Sequence, residues 1–438
     1  MPNFKSLTGL IITACFLVLP LTSFADFAVN CDNSFVKAHP TQLIINVSPT
    51  GTDDTENIQC ALDEAKLKGV PIVRLAKGDF AISYIFIENF KGSFQGTTRA
   101  DTRLEIMDNS VFCSMIESES RISAAIKFDG GEPKLKFMTI SSGEPCSDTQ
   151  TMRTIVHFTG ADRSDASCSN DVIFALVDRV DMIGPGDHRE STQAAILASP
   201  EGLFNSSNCK RTLLGSFKVN QSNVTGYGTG VNTSMRASAQ VDINFNSFTN
   251  NRMGVNVIDA NQSTTITGNS FTSENNDESL TGMGAIRVQR RNSSAPDKNR
   301  MVIHNNRFMY TDLEVVAGNT LRGSVFAINF IGGVQDLSLS VTDNHFQVTG
   351  AHTWILNISE IDDWVVSGNL FTGRPATGIV AVNYIVPSIS GGVIVANSFK
   401  NLNSNFNDIY LGPNTTKCIV GSGQDAAIND NGTNNTVL

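Results

Sequence analysis

The sequence contains no C-x-x-C pair, which removes a zinc ribbon and a thioredoxin-type redox site from consideration. It is thin in the rings that stack on neutral sugars, with two tryptophans, Trp354 and Trp364, and five tyrosines. Cations are outnumbered, 32 Lys and Arg against 42 Asp and Glu, for a formal net charge of −10. That balance argues against nucleic acid and anionic membrane as general partners, while leaving room for a local cationic strip and an anionic substrate. After the first 25 residues no stretch is long and apolar enough to span a bilayer. The second half has almost no helical periodicity, and the regular leucine spacing of leucine-rich repeats is missing.

The opening segment MPNFKSLTGLIITACFLVLPLTSFA joins an early Lys5 to an apolar run and then to the small residues Ser23 and Ala25. It predicts a signal peptide at 1–25, cleaved near Ala25, and an exported protein, whether secreted, periplasmic or at the cell surface. The word ITAC ending at Cys15 resembles a bacterial lipidation box, but mostly apolar residues continue beyond it. Removing the leader takes away Lys5 and no acid, so the remainder is more acidic still. Seven cysteines then remain: Cys31, Cys60, Cys113, Cys146, Cys168, Cys209 and Cys418. Export permits disulfides, the odd number leaves at least one thiol free, and the pairing stays open.

What the chain has in abundance is one short word. Asn-x-Phe recurs at Asn246, Asn269, Asn306, Asn344, Asn369 and Asn397, and a second short apolar strand lies between successive copies. The shortest spacings are roughly in the low twenties, the period of a solenoid coil with insertions. Strand, turn, strand, turn without helix predicts a single-stranded right-handed parallel β-helix. Coils stack about 4.8 Å apart, so each residue lies over its equivalent in the next coil. Stacked Asn side chains then satisfy turn backbone groups along the axis, and stacked Phe rings fill the interior beside them. The word is therefore read as structural.

The expected organisation is an N-terminal extension at 26–52, the β-helix at 53–421 and a polar, frayed C-terminal tail at 422–438. A capping helix at 53–69 belongs to the β-helix, since an open solenoid end exposes core. Asp53 and Glu56 suggest its capping box, Ile58, Leu62, Ala65 and Leu67 its apolar face, and Gly69 its stop. The block from Gly51 to Ile106 holds this helix, the strand VRLAKGDFAI and the glycines of FKGSFQG. It resembles the start of pectate-lyase-like β-helix proteins. The resemblance covers about 55 residues specifically and the rest only through the style of the repeat; it implies the fold. The superfamily holds polysaccharide lyases, glycoside hydrolases, epimerases and tailspikes, and also members without catalysis. The four words of its polygalacturonase-type hydrolases are not present in order, so no catalytic residue is carried over from it.

Candidates for chemistry come from the strands and one loop. Aligning the first strand of each coil gives an outward column of Lys127, His157, Asn232, Asn256, Arg287, Asn329 and Asn357. Three residues further on stand Asp259, Arg290 and Glu360. A one-residue slip would turn the whole set inward. Arg287 and Arg290 suit uronate carboxylates, because guanidinium meets carboxylate in a two-point contact. Asp259 is placed to act as a general acid or base. The loop GPGDHRE at 184–190 brings Asp187 and His188 together, a base with a carboxylate to orient it. Lys127, His157, Asn256, Arg290, Asn329, Asn357 and Glu360 are assigned to binding; Asp259, Arg287, His188 and Asp187 to catalysis. No cluster has transition-metal spacing. Scattered aspartates leave Ca²⁺ an open option, since a lyase needs its substrate acid neutralised by Ca²⁺ or Arg.

The leading expectation is an exported carbohydrate-active β-helix, a lyase or hydrolase of an acidic polysaccharide such as a polyuronate, with no nucleic-acid partner and no membrane span. The alternative is a non-catalytic glycan-binding, adhesin or structural β-helix. The residues do not decide whether the chain is an enzyme.

Overall fold

The computed structural model describes residues 30–39, 42–107, 124–142, 154–160, 170–185, 194–200, 212–235, 239–258, 263–273, 284–289, 299–313, 326–331, 337–350, 354–359, 361, 363–374, 377–382, 389–400, 407–413, 415–422 and 426–438. Three long sheets run along one axis: sheet A has 15 strands, sheet B 11 and sheet C 12. The chain visits them in turn. Gln240–Asn244 lies in sheet A, Ser247–Thr249 in sheet B and Met253–Ile258 in sheet C, and Ser263–Thr267 begins the next coil in sheet A. Each strand pairs in parallel with its equivalent one coil on, as in Val241 with Thr264, Phe248 with Phe271 and Val255 with Ile286. The expected parallel β-helix is what the chain forms.

The sheet A to sheet B corner explains the repeated word. Before each ladder Asn comes one residue in the left-handed region: Phe245, Gly268, Asn305, Asp343, Gly368 and Ala396, with φ from 53° to 69°. Most are not glycine, so the bend carries a steric cost that the corner must offset. The Asn side chain does so. Asn306 Nδ2 donates to Ile266 O at 2.8 Å and to Asn344 Oδ1 at 3.0 Å, and its Oδ1 accepts from Asn269 N at 2.9 Å. The same bonds link Asn246, Asn269, Asn306, Asn344, Asn369 and Asn397 in sequence. Two residues later, Phe248, Phe271, Phe308, Phe346, Phe371 and Phe399 stack with ring centroids 4.6 to 5.0 Å apart. Gly254 lies under that stack, where a Cβ would come within 2.6 Å of the Phe271 ring.

Upstream coils are built differently. In the column that carries the Phe stack stand Ile140, Met182 and Val224 instead. Aromatic packing moves to the inner side of sheet C, where Phe128 and Phe158 stack at 5.4 Å. Trp364 is also interior, fully buried with Gly392 against its ring, so it is no part of an exposed sugar platform.

Helix α1 spans Thr55–Lys68 and ends at Gly69, whose φ is 67°. Ile58, Ala61, Leu62 and Ala65 are buried against the first coils, while Leu67, placed on the apolar face in the sequence reading, is 77% exposed. The N-cap is Asp54, whose side chain makes no capping bond, while Asp53 Oδ1 accepts from Thr55 N at 2.9 Å. The buried Asp54 carboxylate accepts instead from Thr50 N at 2.7 Å and Ala81 N at 3.0 Å, joining the helix entry to sheet B. This replaces the capping box expected from Asp53 and Glu56. A disulfide between Cys31 and Cys60 ties the N-terminal segment to the helix. That segment is ordered into an antiparallel pair, Val36–His39 with Ile44–Val47, which begins sheet A. At the other end, the residues expected to fray add strands: Ile428–Asp430 extends sheet C and Thr436–Val437 extends sheet A. Among the described residues no helix is long and apolar enough to cross a membrane.

Candidate functional site

Sheet C differs from its neighbours in how the chain enters and leaves it. The connections Ser142 to Thr154, Thr159 to Asn170, Ile183 to Ala194, Ala198 to Thr212, Ser273 to Gly284, Gln289 to Asn299 and Leu313 to Phe326 each have one end in sheet C. In the downstream coils the corner from sheet A to sheet B holds only the left-handed residue and the ladder Asn.

The strand register places the proposed column in one line. Phe86 pairs with Lys127, Lys127 with His157, His157 with Leu197 and Leu197 with Asn232. The line continues through Asn256, Arg287, Asn329 and Asn357. Leu197 is an apolar interruption that the sequence alignment did not include. The neighbours Ile126, Val156, Val231, Val255 and Ile286 belong to the core, so the column takes the opposite side of the sheet.

That outer side is not an open strip. Lys127, His157, Asn232, Asn256 and Asn357 are all buried, and Arg287 is partly so. Burial sets their chemistry. The Lys127 ammonium lies 5.5 Å from the centre of the Phe86 ring, a cation–π contact. His157 Nε2 lies 3.2 Å from Ser199 O and 3.1 Å from Ser199 Oγ. A carbonyl oxygen can only accept, so Nε2 carries the proton and Nδ1 keeps its lone pair. Burial first, and then the charge of Lys127, push the His157 pKa down to about 3, against a smaller opposing effect from the Ser199 backbone. The ring is therefore neutral, and its buried Nδ1 has no hydrogen-bond partner among the described residues. Asn256 Nδ2 donates to Asn232 Oδ1 at 3.2 Å, whereas Asn256 Oδ1 is buried without a partner among the described residues. Unpaired buried acceptors are uncommon in proteins and cost about 1–3 kcal/mol each, so two of them on one face mark a place where a donor is expected.

The structure adds residues that the sequence reading missed. Asp129, two positions after Lys127, is buried on the same face, and period-two alternation was the signal for it. Ser199 follows its strand and reaches His157 only through coil stacking, which no local pattern shows. Asp187, His188, Asp259, Arg290 and Glu360 lie outside the described residues; Asn329 has its backbone in register, and its side chain lies outside them. Among the described residues no group of three or more His, Cys, Asp or Glu is placed to hold a metal ion.

No protein-family model matches the chain, and no curated protein matches it by sequence. Solved structures do. The Dettilon tailspike protein matches with a TM-score of 0.51 at 12% identity, over 90% of this chain and 68% of that one. A DFA-IIIase from Arthrobacter chlorophenolicus A6, in complex with DFA-III, matches with a TM-score of 0.51 at 12% identity, over 89% of this chain and 96% of that one. At such identity the likeness concerns the fold alone, a right-handed parallel β-helix.

Proposed function

We propose that this chain is an exported, carbohydrate-active β-helix protein that acts on an acidic polysaccharide along the outer face of sheet C. The observation that carries the reading is the single register column, with Lys127 and Arg287 in it and two buried acceptors, His157 Nδ1 and Asn256 Oδ1, left over. Side chains repeating about every 4.8 Å along an axis suit a polymer of repeating units. Lys127, Arg287 and Arg290 would hold carboxylates, with Asn329, Asn357 and Glu360 extending the contact. Neutral His157 and Asn256 would accept from sugar hydroxyls. Chain cleavage would fall to Asp259 with Arg287, or to His188 oriented by Asp187. β-Elimination further requires the substrate acid to be neutralised, by Arg287 or by Ca²⁺. The DFA-IIIase structure in complex with DFA-III is a case of this fold with a bound ligand.

A non-catalytic glycan-binding, adhesin or structural role is the second reading, and a specific observation favours it: the column is buried, and Leu197 interrupts it. His157, with its pKa near 3, is also a weak base, so it does not itself supply the catalysis.

The test is a panel of polyuronates with and without Ca²⁺. Ultraviolet absorbance would report the unsaturated uronate of elimination, and a parallel assay would report reducing ends. Rising absorbance that Arg287→Ala abolishes supports a lyase; reducing ends alone support a hydrolase. Silence on both readouts sinks cleavage of polyuronates and leaves the second reading.

A further inference from the structure

A group of side chains on the outer face of sheet A takes no part in the site on sheet C. On the first coils, strands Ile72–Leu75, Lys91–Gln95 and Glu132–Lys136 pair in register. Arg74, Gln95 and Lys136 form one outward column, Ile72, Ser93 and Lys134 the column beside it, and Lys91 stands opposite Glu132. Lys91 and Lys134 are exposed, and Arg74 and Lys136 are half-buried. Their neighbours are neutralised: Lys218 by Asp242 at 3.1 Å, and Arg179 by Asp178 at 3.9 Å. Arg74, Lys91, Lys134 and Lys136 form no ion pair among the described residues.

Beside these cations lies exposed apolar surface. Leu176 pairs with Lys134 in the next coil, and Phe174 and Val172 precede it on the same side of their strand. Phe174 is 50% exposed and Val172 44%, and Phe174 N donates to Gly131 O at 3.0 Å, which sets the strand beside Glu132. An exposed ring and four unpaired cations together contribute nothing evident to folding, and they lie on a protein of net charge −10.

We propose that this face of sheet A is a second docking surface, for an acidic polysaccharide. Arg74, Lys91, Lys134 and Lys136 would hold its carboxylate or sulfate groups, and the Phe174 ring would lie under the apolar face of a sugar. Lys134 and Lys136 stand about 7 Å apart on one strand, with further positions at coil spacing, a pattern that a thin, extended polyanion can follow. Duplex nucleic acid and anionic bilayers present a broad field that the acidic remainder of the protein repels. The surface holds sugar without cutting it, so inactivity on polyuronates at sheet C leaves it standing.

The experiment measures binding of fluorescein-labelled polyuronate to the full chain, against labelled dextran, duplex DNA and anionic vesicles. The expected result is polyuronate binding that weakens as salt rises and no dextran binding. Lys134→Glu with Lys136→Glu should weaken polyuronate binding about tenfold or more, and Phe174→Ala by a smaller factor. Should the double variant not fold, Arg74→Gln with Lys91→Gln gives a second reading of the same surface. Unchanged affinity in the folded variants, absence of binding by the unaltered protein, or equal binding of DNA or vesicles would overturn the proposal.

Discussion

Two polar columns run along this β-helix, one at the corner between sheets A and B and one on the outer face of sheet C. In the first, the Asn246 to Asn397 ladder, each side-chain oxygen accepts from the coil before, each amide donates back to a strand carbonyl, and each from Asn246 to Asn369 also donates forward to the next Asn. Nothing is left for a ligand. In the second, His157 Nδ1 and Asn256 Oδ1 are buried with no partner among the described residues. Both columns arise from coil stacking, and the residues named here are buried in both. A satisfied column accounts for itself by folding, whereas a column with spare acceptors carries a cost that a ligand could recover.

Substitution separates the two columns. The largest effect is expected in the ladder. Asn306→Ala strands Asn269 N–H and Ile266 C=O inside the corner, and should cost about 3–5 kcal/mol, read as a lower urea midpoint. A loss below about 1 kcal/mol would mean that water replaces the ladder, and the contrast would fail.

Next comes pH. His157 is neutral in the folded protein, with a pKa of about 3 against about 6.5 unfolded, so the unfolded chain binds more protons between those values. Its contribution to stability is therefore complete above pH 6.5 and is lost as pH falls through that window. Unfolding free energy should drop on the order of 3 kcal/mol more between pH 7 and pH 4 in the unaltered protein than in His157→Gln. The Asn ladder has no titrating group, so Asn306→Ala should show the same pH slope as the unaltered protein. Equal slopes for the unaltered protein and His157→Gln would place His157 in contact with water.

The smallest effect is expected at Asn256. Among the described residues its side chain bonds to Asn232 and its oxygen has no partner, so Asn256→Ala should cost less than about 1 kcal/mol in the absence of ligand. The same substitution should weaken any glycan that binds sheet C. Loss of stability comparable to Asn306→Ala would show that the second column is structural as well.

The ladder was legible because its period is carried by one word with both a polar and an aromatic member, and coil stacking converts that period directly into contact. The sheet C column was legible from alternation, since core residues on both sides of each outward position fix the register. The same reading placed Leu67 in the core and a capping box at Asp53, and the structure gives exposure and Asp54 instead. Helix faces and caps depend on where the first coils lie, which no local pattern specifies. Leu197 escaped notice for a related reason: an apolar residue in an outward line carries no signal of its own.

By itself the sequence determined the solenoid, its stacking direction and the residues that share a line, because a short repeat with fixed inward positions allows one register. Only the tertiary structure decided which of those lines is satisfied and which retains unpaired atoms. That difference depends on groups brought together from distant coils, such as Ser199 against His157, and on burial, which sets the charge of His157 and is a property of the assembled chain.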